Sequence, residues 1–171
     1  MDYTYIPIHS IKKIQKSKAI NFYNKLELLS LILRLNILYS IQKAGSGHLG
    51  SSLSALDIFL CCSEYLKNNK GNFFSSKGHD VPALYNVMSL NNKINFNKIH
   101  LLRKINGLPG HPDIQTKNIL FNTGSLGMGI SKVNGLSYAN ILLKEKDKNI
   151  VILGDGELQE GQNWEALMFL Q

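Results

Sequence analysis

Gly154-Asp155-Gly156 directly follows a continuous apolar run, Ile150 to Leu153. Glycines on both sides of an acid let the backbone approach a ligand closely. An Asp in that place can offer a hard oxygen to Mg²⁺ or Ca²⁺, with diphosphate oxygens filling other positions. On its own such a triplet is more often only a turn. Three further loops bear on it. Each sets a histidine after a glycine: Gly47-His48, Gly78-His79 and Gly110-His111, three of only five histidines in the chain. An imidazole can donate to phosphate oxygens, or polarise a carbonyl or hydroxyl, without bringing a fixed charge. Metal ligation is a second use, but the spacings resemble no compact zinc pattern.

Gly124-Ser125-Leu126-Gly127-Met128-Gly129 adds a glycine-rich helix entry. Its glycines do not fall in the register of a dinucleotide fingerprint, and no Gly-Lys-Ser/Thr follows to make a P-loop. The segment fits a loop packed against a flat ring. It fits equally a tight loop that lets a helix pack closely.

The elements that must hold these loops follow from spacing. Residues 1–18 are mixed and lysine-rich and read as an irregular arm. Ala19 to Ala44 is helical, with Leu28, Leu31, Ile32, Leu35 and Leu38 as its apolar face. Gly45 and Gly47 stop it. A second helix starts near Ser54, where Ser54 to Asp57 resembles a capping box, and runs to about Leu66. Phe73 to Ser75 is a short strand, Val81 to Leu90 a helix with Pro82 in its first turn, and Asn97 to Ile105 a short helix. Asn106 to Asp113 is a loop by its Gly and Pro content. A helix leads from Gly129 to near Lys146. Asn149 to Leu153 suits a strand buried on both faces of a parallel sheet. Glu160 to Gln171 is helical again, with Trp164, Leu167 and Met168 on one side. Helices alternating with short apolar strands predict an α/β fold, a mostly parallel sheet with helices on both faces. The domain is residues 19–171. The sheet has few strands for its class, so the domain is expected to be incomplete on its C-terminal side.

Composition sets outer limits. The 171 residues carry 19 basic and 12 acidic side chains, a net +7. Only Arg34 and Arg103 are arginines, and no cluster with interleaved aromatics supports a nucleic-acid surface. The basic excess would attract an anionic, phosphorylated ligand. Cys61 and Cys62 are adjacent and have no third partner, which excludes a disulfide framework and fits a cytoplasmic setting. Both read as core filler. The start lacks signal-peptide order. Leu26 to Ile41 contains Glu27, Arg34 and Asn36, so no membrane span is expected.

Taken in order, Ala44 to Gly50, Ser76 to His79, Pro109 to Pro112, Thr123 to Gly127 and Gly154 to Gly161 closely resemble the transketolase family. Five segments in register cover the chain from about residue 26 to 171. The wording is nearest to the N-terminal subunits of split transketolases. The resemblance implies the diphosphate-binding domain of a thiamine diphosphate enzyme. It implies transfer of a two-carbon ketol unit between sugar phosphates, as in the pentose phosphate pathway. Asp155 would ligate Mg²⁺ (or Ca²⁺ or Mn²⁺), Gly156 would contact the diphosphate through its N–H, and His79 would reach it too. His48 and His111 would face the sugar. Gly124, Ser125 and Leu126 would line the aminopyrimidine ring. Glu160 would sit near the subunit interface, in a carboxylate network between cofactor sites.

The same resemblance implies a C-terminal partner subunit or domain and a dimer or larger oligomer with sites at subunit interfaces. The family's metal motif ends on an Asn beyond Gln171, and its activating carboxylate belongs to the pyrimidine-binding domain. The chain alone is therefore expected to be inactive. A truncated, non-catalytic remnant and a deoxyxylulose-phosphate synthase-like enzyme are the alternatives. Glu157 to Gly161 favours transketolase. Leu49 and Ser125 replace common prolines. Asp80 brings a carboxylate near the diphosphate region, where it would weaken anion binding unless it points away.

Overall fold

The computed structural model describes residues 4–169. Two strands, β1 (Gly71–Ser75) and β2 (Lys148–Ile152), pair in parallel with Phe73 opposite Ile150 and Ser75 opposite Ile152. Alternation then decides what each face meets. Phe73 turns to α3 (Leu49–Tyr65), where its ring lies 5.7 Å from Phe59. Asn149, on the opposite face, donates to Ser137 of α5 (Gly129–Leu142) at 3.0 Å. Helices therefore cover both faces, as the α/β reading expects.

The core lies on the Phe73 side. It is built from α2 (Phe22–Ala44), α3 and α4 (Val81–Leu90), every residue of α4 being buried. Asn21 caps α2 by accepting from Asn24 N–H at 2.9 Å, and Gly45 ends it in the left-handed region. The buried stripe of α2 is Leu29, Leu33, Asn36, Ile37 and Ser40, not the one expected. Leu31 and Leu35 are 55% and 45% exposed. The helix is apolar nearly all round, so spacing alone could not choose its inner face.

Other expectations need correction. The lead-in is not irregular throughout: Ile8–Lys16 forms α1, whose Ile11 is fully buried. The three-residue spacing of Ile8, Ile11 and Ile14 carries this packing, with lysines on the outer side. Asn36, buried on α2, holds the residues before α1 by accepting from Ile6 N–H at 2.6 Å and donating to Ile6 C=O at 3.0 Å. Helix α3 starts at Leu49, so Ser54 and Asp57 form no capping box. Ser54 donates to Ser51 C=O, and Asp57 pairs with Arg34 at 2.8 Å. The expected helix at Asn97 is a 3-10 turn, Phe96–Leu101.

Helix α5 ends at Leu142 rather than near Lys146. Cys61 is exposed and Cys62 half-buried, so neither is simple core filler. In α6 (Gly161–Met168) the buried residues are Asn163 and Ala166, while Trp164, Leu167 and Met168 face outward. The remainder of that expected helix, 170–171, lies outside the described residues. Among the described residues no helix is long and apolar enough to cross a membrane.

Candidate active site

The loops that leave the carboxyl ends of β1 and β2 meet, which is where parallel sheets place ligands. From β1 the chain enters Ser76 to Asp80. Gly78 has φ +72°, and a Cβ there would collide with Thr123 Oγ1. Only glycine combines that backbone with that contact. His79 follows, with its N–H donating to Lys77 C=O at 2.9 Å.

The three loop histidines come together. The rings of His48, at the N-terminal boundary of α3, and His79 lie 5.1 Å apart. His111 Cδ2 lies 3.1 Å from the place a Cβ on residue 78 would occupy and 3.4 Å from the same place on residue 124. Burial holds the His111 pKa below the usual 6.5; the positive fields of Arg103, His79 and His48 add to this, and Asp80 opposes it. His111 is thus biased toward the neutral imidazole, able both to donate and to accept. The other two histidines lie elsewhere in the chain: His100 stacks edge-on against Tyr5, and His9 belongs to α1.

From β2 the chain enters Gly154-Asp155-Gly156 and a short 3-10 turn, Gly156–Gln159. Asp155 and Gly156 are exposed, and the space around Gly156 is open for 4 Å. Lys77 Cδ lies 3.3 Å from the place a Cβ on Gly154 would occupy, so a cationic side chain runs beside the turn. Gly124, Ser125 and Leu126 form an exposed loop, and Glu160, also exposed, lies against Gly127. Asp80 points away from the site. It is fully buried, accepts from Ser75 Oγ at 2.7 Å, and has Lys77 Nζ at 3.6 Å.

The residue that unites these loops is one that sequence reasoning misses. Glu157 is 2% exposed. Its Oε1 accepts from Ser76 Oγ at 2.5 Å and from Gly127 N–H at 2.8 Å; its Oε2 accepts from Gly154 N–H at 3.1 Å. Nothing in Glu157-Leu158-Gln159-Glu160 tells which acid turns inward. Arg103 is likewise a neighbour of the site that its sequence context does not reveal. Its Nε lies 2.9 Å from the place a Cβ on Gly110 would occupy, beside His111.

A family model described as 1-deoxy-D-xylulose-5-phosphate synthase, in its N-terminal part, matches residues 8–170. The chain belongs to this transketolase-type family. Within the family, one of the two subunits of the apulose-4-phosphate transketolase of Phocaeicola vulgatus is 33% identical over 153 residues, covering 84% of this chain and 54% of the relative. The 6-deoxy-6-sulfo-D-fructose transketolase subunit of a Clostridium species is 36% identical over 152 residues, covering 81% and 54%. Human transketolase is 34% identical over 148 residues, covering 80% and 24%. The chain thus spans about half the length of the two bacterial relatives.

Membership in the transketolase-type family implies thiamine diphosphate as cofactor, and the site fits its diphosphate end. Gly156 leaves room for it. Buried hydroxyls without a hydrogen-bond partner, Ser51 Oγ and Thr123 Oγ1, stand on two of the loop segments. For a metal the fit is partial. Among the described residues no three His, Cys, Asp or Glu side chains gather as a metal site, and Asp155 offers one carboxylate.

Proposed function

We propose that the chain is the N-terminal, diphosphate-binding section of a transketolase that moves a two-carbon ketol unit between sugar phosphates. The observation that supports this most is the meeting of His48, His79 and His111, from three separate loops, next to the Gly124 loop. Asp155 holds Mg²⁺ together with the diphosphate and a ligand from elsewhere, and Gly156 N–H and His79 bind the diphosphate oxygens. Gly124, Ser125 and Leu126 lie along the aminopyrimidine. His48 and His111 hydrogen-bond the sugar hydroxyls and carry protons to and from them. When bound, thiamine diphosphate supplies the electron sink for breaking the carbon–carbon bond.

A pyrimidine-binding partner section completes the site, in a dimer or larger assembly, with Glu160 at the contact. A cytoplasmic location belongs to the same reading. The chain should bind thiamine diphosphate with Mg²⁺, turn over nothing alone, and transfer ketol units once the pyrimidine-binding subunit of a split transketolase is added. Calorimetry and a coupled assay with ketose and aldose phosphates test this. Absence of Mg²⁺-dependent binding would sink the cofactor assignment, and turnover by the chain alone would sink the partner requirement. The family model's own description favours a second reading, a 1-deoxy-D-xylulose-5-phosphate synthase-like section. Product analysis separates the two.

A further inference from the structure

Glu157 belongs to none of the roles assigned above, yet among the described residues it is the only side chain that bonds to all three glycine loops. Its carboxylate takes a hydroxyl from the β1 loop, an N–H from the loop before α5 and an N–H from the Gly-Asp-Gly turn. Ser76 is fixed in its role as donor, because its oxygen already accepts Gly129 N–H at 3.0 Å. All three partners therefore donate. A carboxylate, which only accepts, satisfies them all; an amide of the same shape cannot.

We propose that Glu157 is a positioning residue that locks the three loops around the diphosphate as one rigid cradle. It acts through the backbone of Gly127 and Gly154 rather than by touching the ligand. This rests on the reading of Gly154 to Gly156 as a diphosphate site. The segment carries its own reporter: Trp164, the single tryptophan, donates Nε1–H to Leu158 C=O at 3.0 Å, one residue past Glu157.

Glu157→Gln is the decisive variant. If its amide oxygen keeps Ser76 and Gly127, its amide nitrogen opposes Gly154 N–H. If the amide is flipped, Gly154 is kept and the other two are lost. Two readouts are taken on the full chain. In the absence of ligand, hydrogen exchange should speed up at Gly127, Gly129 and Gly154 together, while the amides of α4 keep their wild-type rates. With inorganic pyrophosphate and Mg²⁺, followed by Trp164 fluorescence, affinity should fall about tenfold or more, the scale of one buried donor left unpaired. Ser76→Ala should lose part of the same protection, and adding it to Glu157→Gln should cost less than the sum of the two.

Unchanged exchange at Gly127 and Gly154 would overturn the proposal. So would wild-type pyrophosphate affinity in a variant whose exchange has changed, or loss confined to a general drop in stability with α4 exposed as well. If the wild-type chain itself binds no pyrophosphate, the diphosphate reading fails. The exchange pattern alone then decides whether Glu157 couples the loops.

Discussion

The ring of His48 lies 5.1 Å from that of His79, although one stands at the start of α3 and the other in the loop after β1. Neither belongs to the other's element, so their distance measures how well the loops are held. Their shared neighbour is His111.

Gly78 controls this meeting. At φ +72°, with Thr123 Oγ1 against its face, any side chain meets both backbone strain and a collision. Gly78→Ala should destabilise the chain by about 1–3 kcal/mol and separate His79 from His111. Urea denaturation measures the first effect. A changed His111 titration by NMR measures the second.

His111 should titrate below 6.5, because burial and then Arg103 disfavour its charged form. Folding therefore favours the neutral ring. Its contribution to stability is present above the unfolded value and is lost as pH falls through the folded one. Arg103→Ala should raise the His111 pKa only part of the way, since burial is the larger cause. An Arg103→Ala variant with an unmoved His111 resonance profile would contradict this.

For Asp80 the sign is reversed. Burial raises its pKa above the usual 3.8, with Ser75, Lys77 and His79 working against the shift. The protonated form suits the folded state, so stability is present below the unfolded value and is lost as pH rises through the folded one. Asp80→Asn keeps an acceptor for Ser75 and removes the charge. It should gain stability relative to wild type as pH rises from about 4 toward neutrality. Thermal melts across that range test it, and a constant difference between the two proteins would contradict it.

Asp155 is exposed and makes no side-chain hydrogen bond among those described. Asp155→Asn should therefore leave stability within about 0.5 kcal/mol of wild type. The part of pyrophosphate binding that depends on Mg²⁺ should fall by at least about 10–100-fold, the scale for losing a group that merely supports a bound metal. Chelation of the metal should make wild type and variant alike.

Much of this is legible in the sequence, for physical reasons that differ by residue. Gly154 to Gly156 and the three Gly-His pairs stand out because chemistry and backbone freedom both restrict what can occupy those positions. The bounds of α4 are readable because Asn91-Asn92 and the preceding loop break any regular pattern. The inner face of α2 is not readable, because Leu31 and Leu35 are as apolar as Leu29 and Leu33. Only contact with α3 and α4 distinguishes them. Glu157 is hidden for another reason. Its value lies in Ser76 and Gly127, which are remote in sequence, and no local spacing records such partners. Asp80 raises a doubt about anion binding that its direction removes, and direction is a tertiary property.

The bond between Ser76 and Glu157 spans 81 positions. At about 5–20 residues per second, a ribosome needs about 4–16 s to make that stretch. During this interval the β1 loop and its histidine exist without the carboxylate that fixes them. Closing so long a stretch also costs more chain entropy than any neighbouring helix contact. The cradle is therefore a late product of folding. Damage to its closure should surface first in how slowly the native protein accumulates, before it surfaces in how firmly that protein holds together.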